Sequence, residues 1–164
     1  MKLLTFTVDD IIKRALQEDI NYIDVSTVYL FDEEARSDAY FVAKADGVLC
    51  GIDIALRVFE LLDPTVQATL YFHDGDRIKK GDRIADFSGK TTYLLQGERT
   101  ALNLLQHLSG VATATAQAVD LIKGTGATVA ETRKTLPGLR ALQKYAVTCG
   151  GGRNHRFNLS DAAM

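Results

Sequence analysis

TVAETRKTLPGLRALQKYAVTCGGGRNHR, residues 128–156, is the stretch whose reading decides the fold. Thr128-Val129-Ala130-Glu131 reads as a short strand, with β-branched residues at its centre. Thr132 to Thr135 is then a loop, and Pro137, with its φ already near the helical value, suits the first position of a helix. That helix runs to Thr148 or Cys149 and is stopped by Gly150-Gly151-Gly152. A strand, a loop and a helix in this order start a βα pattern. In such architectures the loops leaving the carboxyl ends of strands form the ligand face.

Charge singles out the same stretch. Between Glu131 and Arg156 stand Arg133, Lys134, Arg140, Lys144, Arg153 and Arg156 against Glu131 alone, a net +5. Residues 1–130 carry 13 basic and 19 acidic side chains, a net -6. A cationic segment inside an acidic protein points to an anionic ligand. Nucleic acid is disfavoured, because the segment has one aromatic residue, Tyr145, and no basic domain around it. Arginine forks grip carboxylates and phosphates at two points, and lysine adds a compact charge.

Working outward, the preceding text predicts a long helix from about Gly97 to Ile122, with Leu102, Leu105, Leu108, Ala112 and Val119 on its buried stripe. Its small-residue run, 111–116, suggests close packing against another element. Upstream, Thr7 caps a predicted helix that runs to Leu16 and stops at Glu18-Asp19. A strand is expected over Ser37 to Leu49, a helix over Asp53 to Leu62 and a strand over Val66 to Phe72. Gly-Asp-Arg-Ile occurs at 75–78 and again at 81–84, as in tight hairpins. Asp74, Asp76, Asp82 and Asp86 cancel the bases there, which makes them solvated turns.

With 164 residues, 46% of them hydrophobic, the chain can bury a real core. No run approaches the ~18 apolar residues that span a bilayer. The opening MKLLTFTVDD turns acidic too early for a signal peptide, so a cytoplasmic location is expected. Cys50 and Cys149 are far apart in sequence and match no metal-ligand spacing, so both read as buried thiols. Walker A, G-x-G-x-x-G and H-E-x-x-H motifs are missing, so nucleotide and zinc-protease readings have no support. Three clusters carry chemistry: Glu98-Arg99, the 131–135 loop, and 150–156. Each also has a bland reading, as solvated charge or helix stop. From the residues alone, the conclusion is a pocket for a small polyanion.

Three stretches carry more. ERTALNLLQHLSGVATAT (98–115), the 131–156 block and EDI (18–20) resemble quinolinate phosphoribosyltransferase, the carboxylating nicotinate-nucleotide pyrophosphorylase of NAD biosynthesis. The chain is also similar to the related ModD proteins of molybdenum-transport operons, and a non-catalytic anion-binding module is a further alternative. The resemblance implies an α+β fold: an amino-terminal α/β sandwich over 1–97, the helix 98–122 as connector, and an incomplete α/β-barrel phosphoribosyltransferase domain over 123–164. It implies a pentosyltransferase that joins quinolinate to phosphoribosyl pyrophosphate with Mg²⁺ and loses CO₂. It implies a homodimer whose partner completes each site.

By matching motifs, Arg133 and Arg156 would hold the two carboxylates with His155 beside them, and Thr132 would line the pocket. Lys134, as catalytic residue, would lie between dicarboxylate and donor, and Arg99 would reach into the partner's site. The family continues beyond Met164 into strands that bring a further Lys, Glu and Asp, the expected contacts of Mg²⁺ and donor among them. The chain is therefore expected to be an inactive fragment with a single barrel strand around Val129. Its helices should lack cover over Leu105, Leu108, Leu139 and Leu142.

Overall fold

Antiparallel pairing follows from the alternation along two segments. In the computed structural model, which describes residues 3–162, β1 (Arg36–Val42) pairs with β5 (Arg83–Lys90), and β5 also pairs with β3 (Gln67–Leu70). The three-stranded sheet has the order β1-β5-β3. A separate two-stranded ribbon joins β2 (Gly47–Val48) to β4 (Arg77–Ile78). The sheet buries Phe41, Ile84, Ala85 and Phe87 on one face. Phe41 and Phe87 stack 4.8 Å apart, and Phe59 of α2 (Ile52–Leu62) meets Phe87 at 5.0 Å. Tilted aromatic contacts at this spacing add to burial itself. Helix α1 (Thr5–Ile20) buries Val8, Ile12 and Leu16, and Asp9 ties it to α2 through a two-point pair with Arg57 (2.8 and 2.8 Å).

Behind the sheet runs α3 (Thr91–Leu121), whose inner stripe includes Leu94, Ala101, Leu105, Leu108 and Ala112. The last long element, α4 (Arg140–Cys149), packs on α3. The small-residue run of α3 is in close contact from two sides. Thr113 accepts a hydrogen bond from Val48 N (2.9 Å), and at Gly150 a Cβ would sit 2.3 Å from Ala112 O.

Several boundaries differ from the sequence expectation. Helix α1 starts after Leu4 without a side-chain cap, so Thr7 lies inside it, and it passes through Glu18-Asp19 to end where Asn21 turns to φ 53°. The strand expected over 37–49 breaks into β1 and β2. Helix α3 starts at Thr91, not near Gly97. Gly97 is helix interior, and a Cβ there would lie 2.8 Å from the Phe59 ring, so the glycine is a contact point and not a start signal. Pro137 sits in a turn, because Gly138 takes φ 82° and delays the helix to Arg140.

Residues 128–131 form one ladder bridge in place of a full strand, yet that bridge has a partner: Ala130 pairs in parallel with Arg153. A second strand of the βα pattern is therefore begun, contrary to the expectation of a single one. Leu105, Leu108 and Leu142 are buried, since α3 and α4 cover one another. Asp74 is no solvated turn charge, because its carboxylate receives the backbone N–H groups of Gly51 and Ile52. Cys50 is buried and Cys149 half-buried, and the fold brings them together. Among the described residues no helix is long and apolar enough to cross a membrane.

Candidate functional site

The site is built on the return of the chain after α4. Arg153 N donates to Val129 O (2.9 Å) and Glu131 N donates to Arg153 O (3.3 Å), which lays 152–154 beside 129–131. Parallel neighbours with a helical crossover send both following loops out of the same edge. The loop 132–136 and the loop 154–158 therefore open side by side.

A buried lysine locks them. Lys144 is 1% exposed, and its Nζ pairs with Glu131 Oε1 and donates to His155 O (3.1 Å). The same Glu131 oxygen accepts His155 N (2.9 Å). With its amide oriented to suit both neighbours, Asn154 donates to Lys144 O (3.0 Å) and to Glu131 Oε1 (3.1 Å). One helix side chain thus joins the end of the first strand to the loop after the second. The sequence counts Lys144 in the net +5 of this segment, and the structure places it inside the protein, paired with Glu131. A Glu and a Lys thirteen residues apart carry no pairing signal until the crossover is folded.

Further hydrogen bonds hold the first loop. Lys134 N donates to Thr132 Oγ1 (3.0 Å), and Arg140 Nε donates to Thr135 Oγ1 (3.1 Å). Leu136 N donates to Gln143 Oε1 (2.9 Å), and Gln143 Nε2 meets His107 Nε2 at 2.9 Å. An amide nitrogen can only donate, so His107 Nε2 is the acceptor and its proton is on Nδ1. His107 and Gln143, which carried no signal in sequence, thereby tie the loop to α3 and α4.

The residues singled out in sequence fall into two groups. Thr132 and Lys134 line a hollow of about 310 Å³ together with Glu131, Thr135 and Gln143. Arg133 is half-buried and its Nε has no hydrogen-bond partner. His155 is exposed on the adjoining loop, and Arg156 donates to Ala162 O (2.9 Å). These five belong to one loop pair. Arg99 does not: it is exposed on α3, twelve residues before Val111, the α3 residue that lines the hollow. At 1.5 Å per residue that is ~18 Å along the helix axis.

Among the described residues of the 131–156 segment, Lys144 alone has an acidic partner, which leaves Arg133, Lys134, Arg140, Arg153 and Arg156 uncompensated by acids. A larger hollow of about 660 Å³ between β1 and α3, with Tyr40, Phe41, Leu94 and Glu98 in its wall, has Lys44 as its one cation. It suits a dianion far less than the loop pair does.

Comparison with known proteins follows this geometry. The family model described as the N-terminal domain of quinolinate phosphoribosyl transferase matches residues 24–109, and the one for the C-terminal domain matches 111–164. A probable carboxylating nicotinate-nucleotide pyrophosphorylase of Bacillus subtilis is 46% identical over 147 residues, covering 90% of this chain and 50% of its own. The carboxylating nicotinate-nucleotide pyrophosphorylase of Mycobacterium leprae is 44% identical over 158 residues, 94% of this chain and 56% of that one. The crystal structure of NadC from Streptococcus pyogenes superposes with a TM-score of 0.95 at 46% identity, over 99% of this chain and 57% of that one. The chain spans about half the length of the curated relatives it matches.

Proposed function

The chain belongs to the quinolinate phosphoribosyltransferase family, and on that premise we propose that its 131–156 segment is the quinolinate-binding part of a carboxylating nicotinate-nucleotide pyrophosphorylase. The α+β fold, followed by the start of a βα barrel unit, is the fold of its solved relatives. The observation that carries the functional reading is the loop pair itself: cations without acidic partners, on adjoining loops locked together by Lys144 and Glu131.

In this reading Arg133 and Arg156 take one carboxylate each and His155 flanks them. Lys134 stands between the dicarboxylate and phosphoribosyl pyrophosphate. The pyridine nitrogen bonds to the ribose carbon as pyrophosphate leaves, and the 2-carboxylate departs as CO₂ with a proton taking its place, giving nicotinate mononucleotide. Two like unit charges 4 Å apart repel by about 4 kcal/mol at an effective dielectric of 20. The cations of this segment offset that repulsion and hold the reactants at bonding distance, so catalysis is chiefly positioning and leaving-group stabilisation.

Mg²⁺ would come with the pyrophosphate donor. The single carboxylate of the 131–156 segment, Glu131, is held by Lys144, so these residues do not fit Mg²⁺, a cation that asks for oxygen ligands. Arg99 would serve the site of a second copy in a homodimer. Its exposure and its distance from the loops of its own chain support that role. A cytoplasmic setting is part of the same reading.

Amide chemical shifts recorded during a quinolinate titration test the assignment. Perturbations centred on 131–135 and 152–157 are expected, and perturbations confined to the β1–α3 hollow would refute it. Release of labelled CO₂ on adding phosphoribosyl pyrophosphate, with the chain alone and with a full-length relative present, reads the reaction itself.

A further inference from the structure

Away from these loops, three chemically soft or anionic groups meet where nothing in the proposed reaction uses them. The sulfurs of Cys50 and Cys149 and a carboxylate oxygen of Asp74 all lie within 4.8 Å of one another. They come from the residue before the α2 turn, the turn before β4, and the last residue of α4. Each is held firmly. Cys50 N donates to Ser109 Oγ (3.0 Å), and the Ser109 hydroxyl donates back to Cys50 O (3.2 Å). Gly75 N donates to Leu49 O (2.8 Å) and Leu49 N to Asp76 O (2.9 Å), fastening the turn to the strand end. Asp74 Oδ1 accepts Gly51 N (2.8 Å) and Ile52 N (3.0 Å), and Oδ2 accepts the Tyr145 hydroxyl (2.8 Å). Tyr145 and Cys149 are one turn apart on the same side of α4.

The cluster is short of positive charge. No ion pair among the described residues includes Asp74. Burial pushes its carboxyl above the usual range, against the hydrogen bonds from Ile52, Tyr145 and Gly51, and the charge of Asp53 adds to the rise. Cys149 is held below the ordinary thiol range by a hydrogen bond from Cys50, with burial opposing, and Cys50 is pushed up by that bond and by burial. A carboxylate has about four acceptor positions, and three of these are taken. Beside the cluster a hollow of about 560 Å³ reaches Asp74 and Tyr145; of the acids in its wall, Glu60 is paired with Arg57 (3.1 Å) and Asp53 is in no ion pair among the described residues.

We propose that Cys50, Asp74 and Cys149 bind one borderline-soft divalent cation of the Zn²⁺ class, with water in the fourth position. Zn–S bonds of about 2.3 Å and a Zn–O bond of about 2.0 Å in a tetrahedron put the two sulfurs roughly 3.8 Å apart and the oxygen roughly 3.5 Å from each, so contractions of about 1.3 Å at most complete the site. Thiolate ligands select against Mg²⁺ and Ca²⁺. Binding displaces thiol protons, so affinity rises with pH. The ion staples the β2–α2 junction and the 73–76 turn to the end of α4, from which the 153–156 loop departs. This inference is independent of the quinolinate reading.

The test is a Co²⁺ titration of the full chain, reduced, metal-free and kept from air. One equivalent should produce a thiolate-to-cobalt charge-transfer band with tetrahedral visible bands, and one equivalent of Zn²⁺ should remove both. Cys149→Ser should roughly halve the charge-transfer intensity. Asp74→Asn, which keeps the acceptor for Gly51 and Ile52, should stay folded by circular dichroism and lose about 10-fold or more in Co²⁺ affinity. No band at one equivalent, or an undiminished band in Cys149→Ser, overturns the proposal. So does a pair that closes to a disulfide, two hydrogens lighter by mass, and binds no Co²⁺ once reduced again.

Discussion

Replacing Lys144 by Met removes an ammonium from the interior while keeping the length and apolar body of the side chain. Lys144 and Glu131 are 1% and 9% exposed, so Lys144→Met leaves a carboxylate that water cannot reach. Taking one partner from a buried ion pair costs about 3–5 kcal/mol. For a domain of this size each kcal/mol is worth roughly 2–4 °C, so the midpoint should fall by about 6–20 °C. Adding Glu131→Gln should return most of the loss, because the amide oxygen still accepts His155 N and no bare charge is left. The double variant should then sit within about 1–2 kcal/mol of the parent, a strong positive coupling. Urea unfolding at pH 7 of the parent, both single variants and the double supplies the cycle, and amide exchange at Arg153 and His155 reports the loop directly. A Lys144→Met chain within about 0.5 kcal/mol of the parent, or a double variant that loses the sum of the singles, would refute the clamp.

Three further outcomes are expected. The Arg57 guanidinium holds the Asp9 carboxyl below its usual range, so its contribution is present above pH ~4 and lost as pH falls through the lowered value; Asp9→Asn should cost about 1 kcal/mol at pH 7 in chemical unfolding, and the cost should shrink as pH falls below about 4. Gly97→Ala should destabilise by about 1–2 kcal/mol because its methyl meets the buried Phe59 ring, whereas Gly110→Ala, with nothing within 4 Å, should stabilise α3 by about 0.5–1 kcal/mol; equal effects in thermal melts would contradict the packing. The Asp74 carboxyl is raised by burial, so the metal-free fold keeps its proton to higher pH than the unfolded chain and loses stability as pH rises from about 4. Metal-free Asp74→Asn should therefore gain on the parent from pH 4 to 7 in urea titrations.

The βα pattern at 128–156 was legible because strand, loop and helix are contiguous there, and their punctuation is glycine-rich. The small-residue run of α3 was legible for a similar reason: only close packing calls for so many short side chains in a row. Gly97 and Pro137 misled because each is an ordinary boundary signal whose meaning was set elsewhere, by Phe59 in one case and by the left-handed Gly138 in the other. Lys144 counted only as one base in the cationic segment, since burial of a lysine becomes visible only when its carboxylate is in place. The Cys50, Asp74 and Cys149 cluster had no local pattern at all. Three segments meet there through tertiary packing alone, and no spacing rule spans such separations.

The central claim, that the 131–156 loops hold a dicarboxylate, is met most directly by calorimetric titration of the chain with quinolinate and with nicotinate, which lacks the second carboxylate. Quinolinate should bind one to one and much more tightly than nicotinate. Arg133→Ala should weaken quinolinate by roughly 10–150-fold, the equivalent of losing a charge-assisted bond of about 1.5–3 kcal/mol. Equal affinity for the two ligands, or quinolinate binding untouched by Arg133→Ala, would contradict the account.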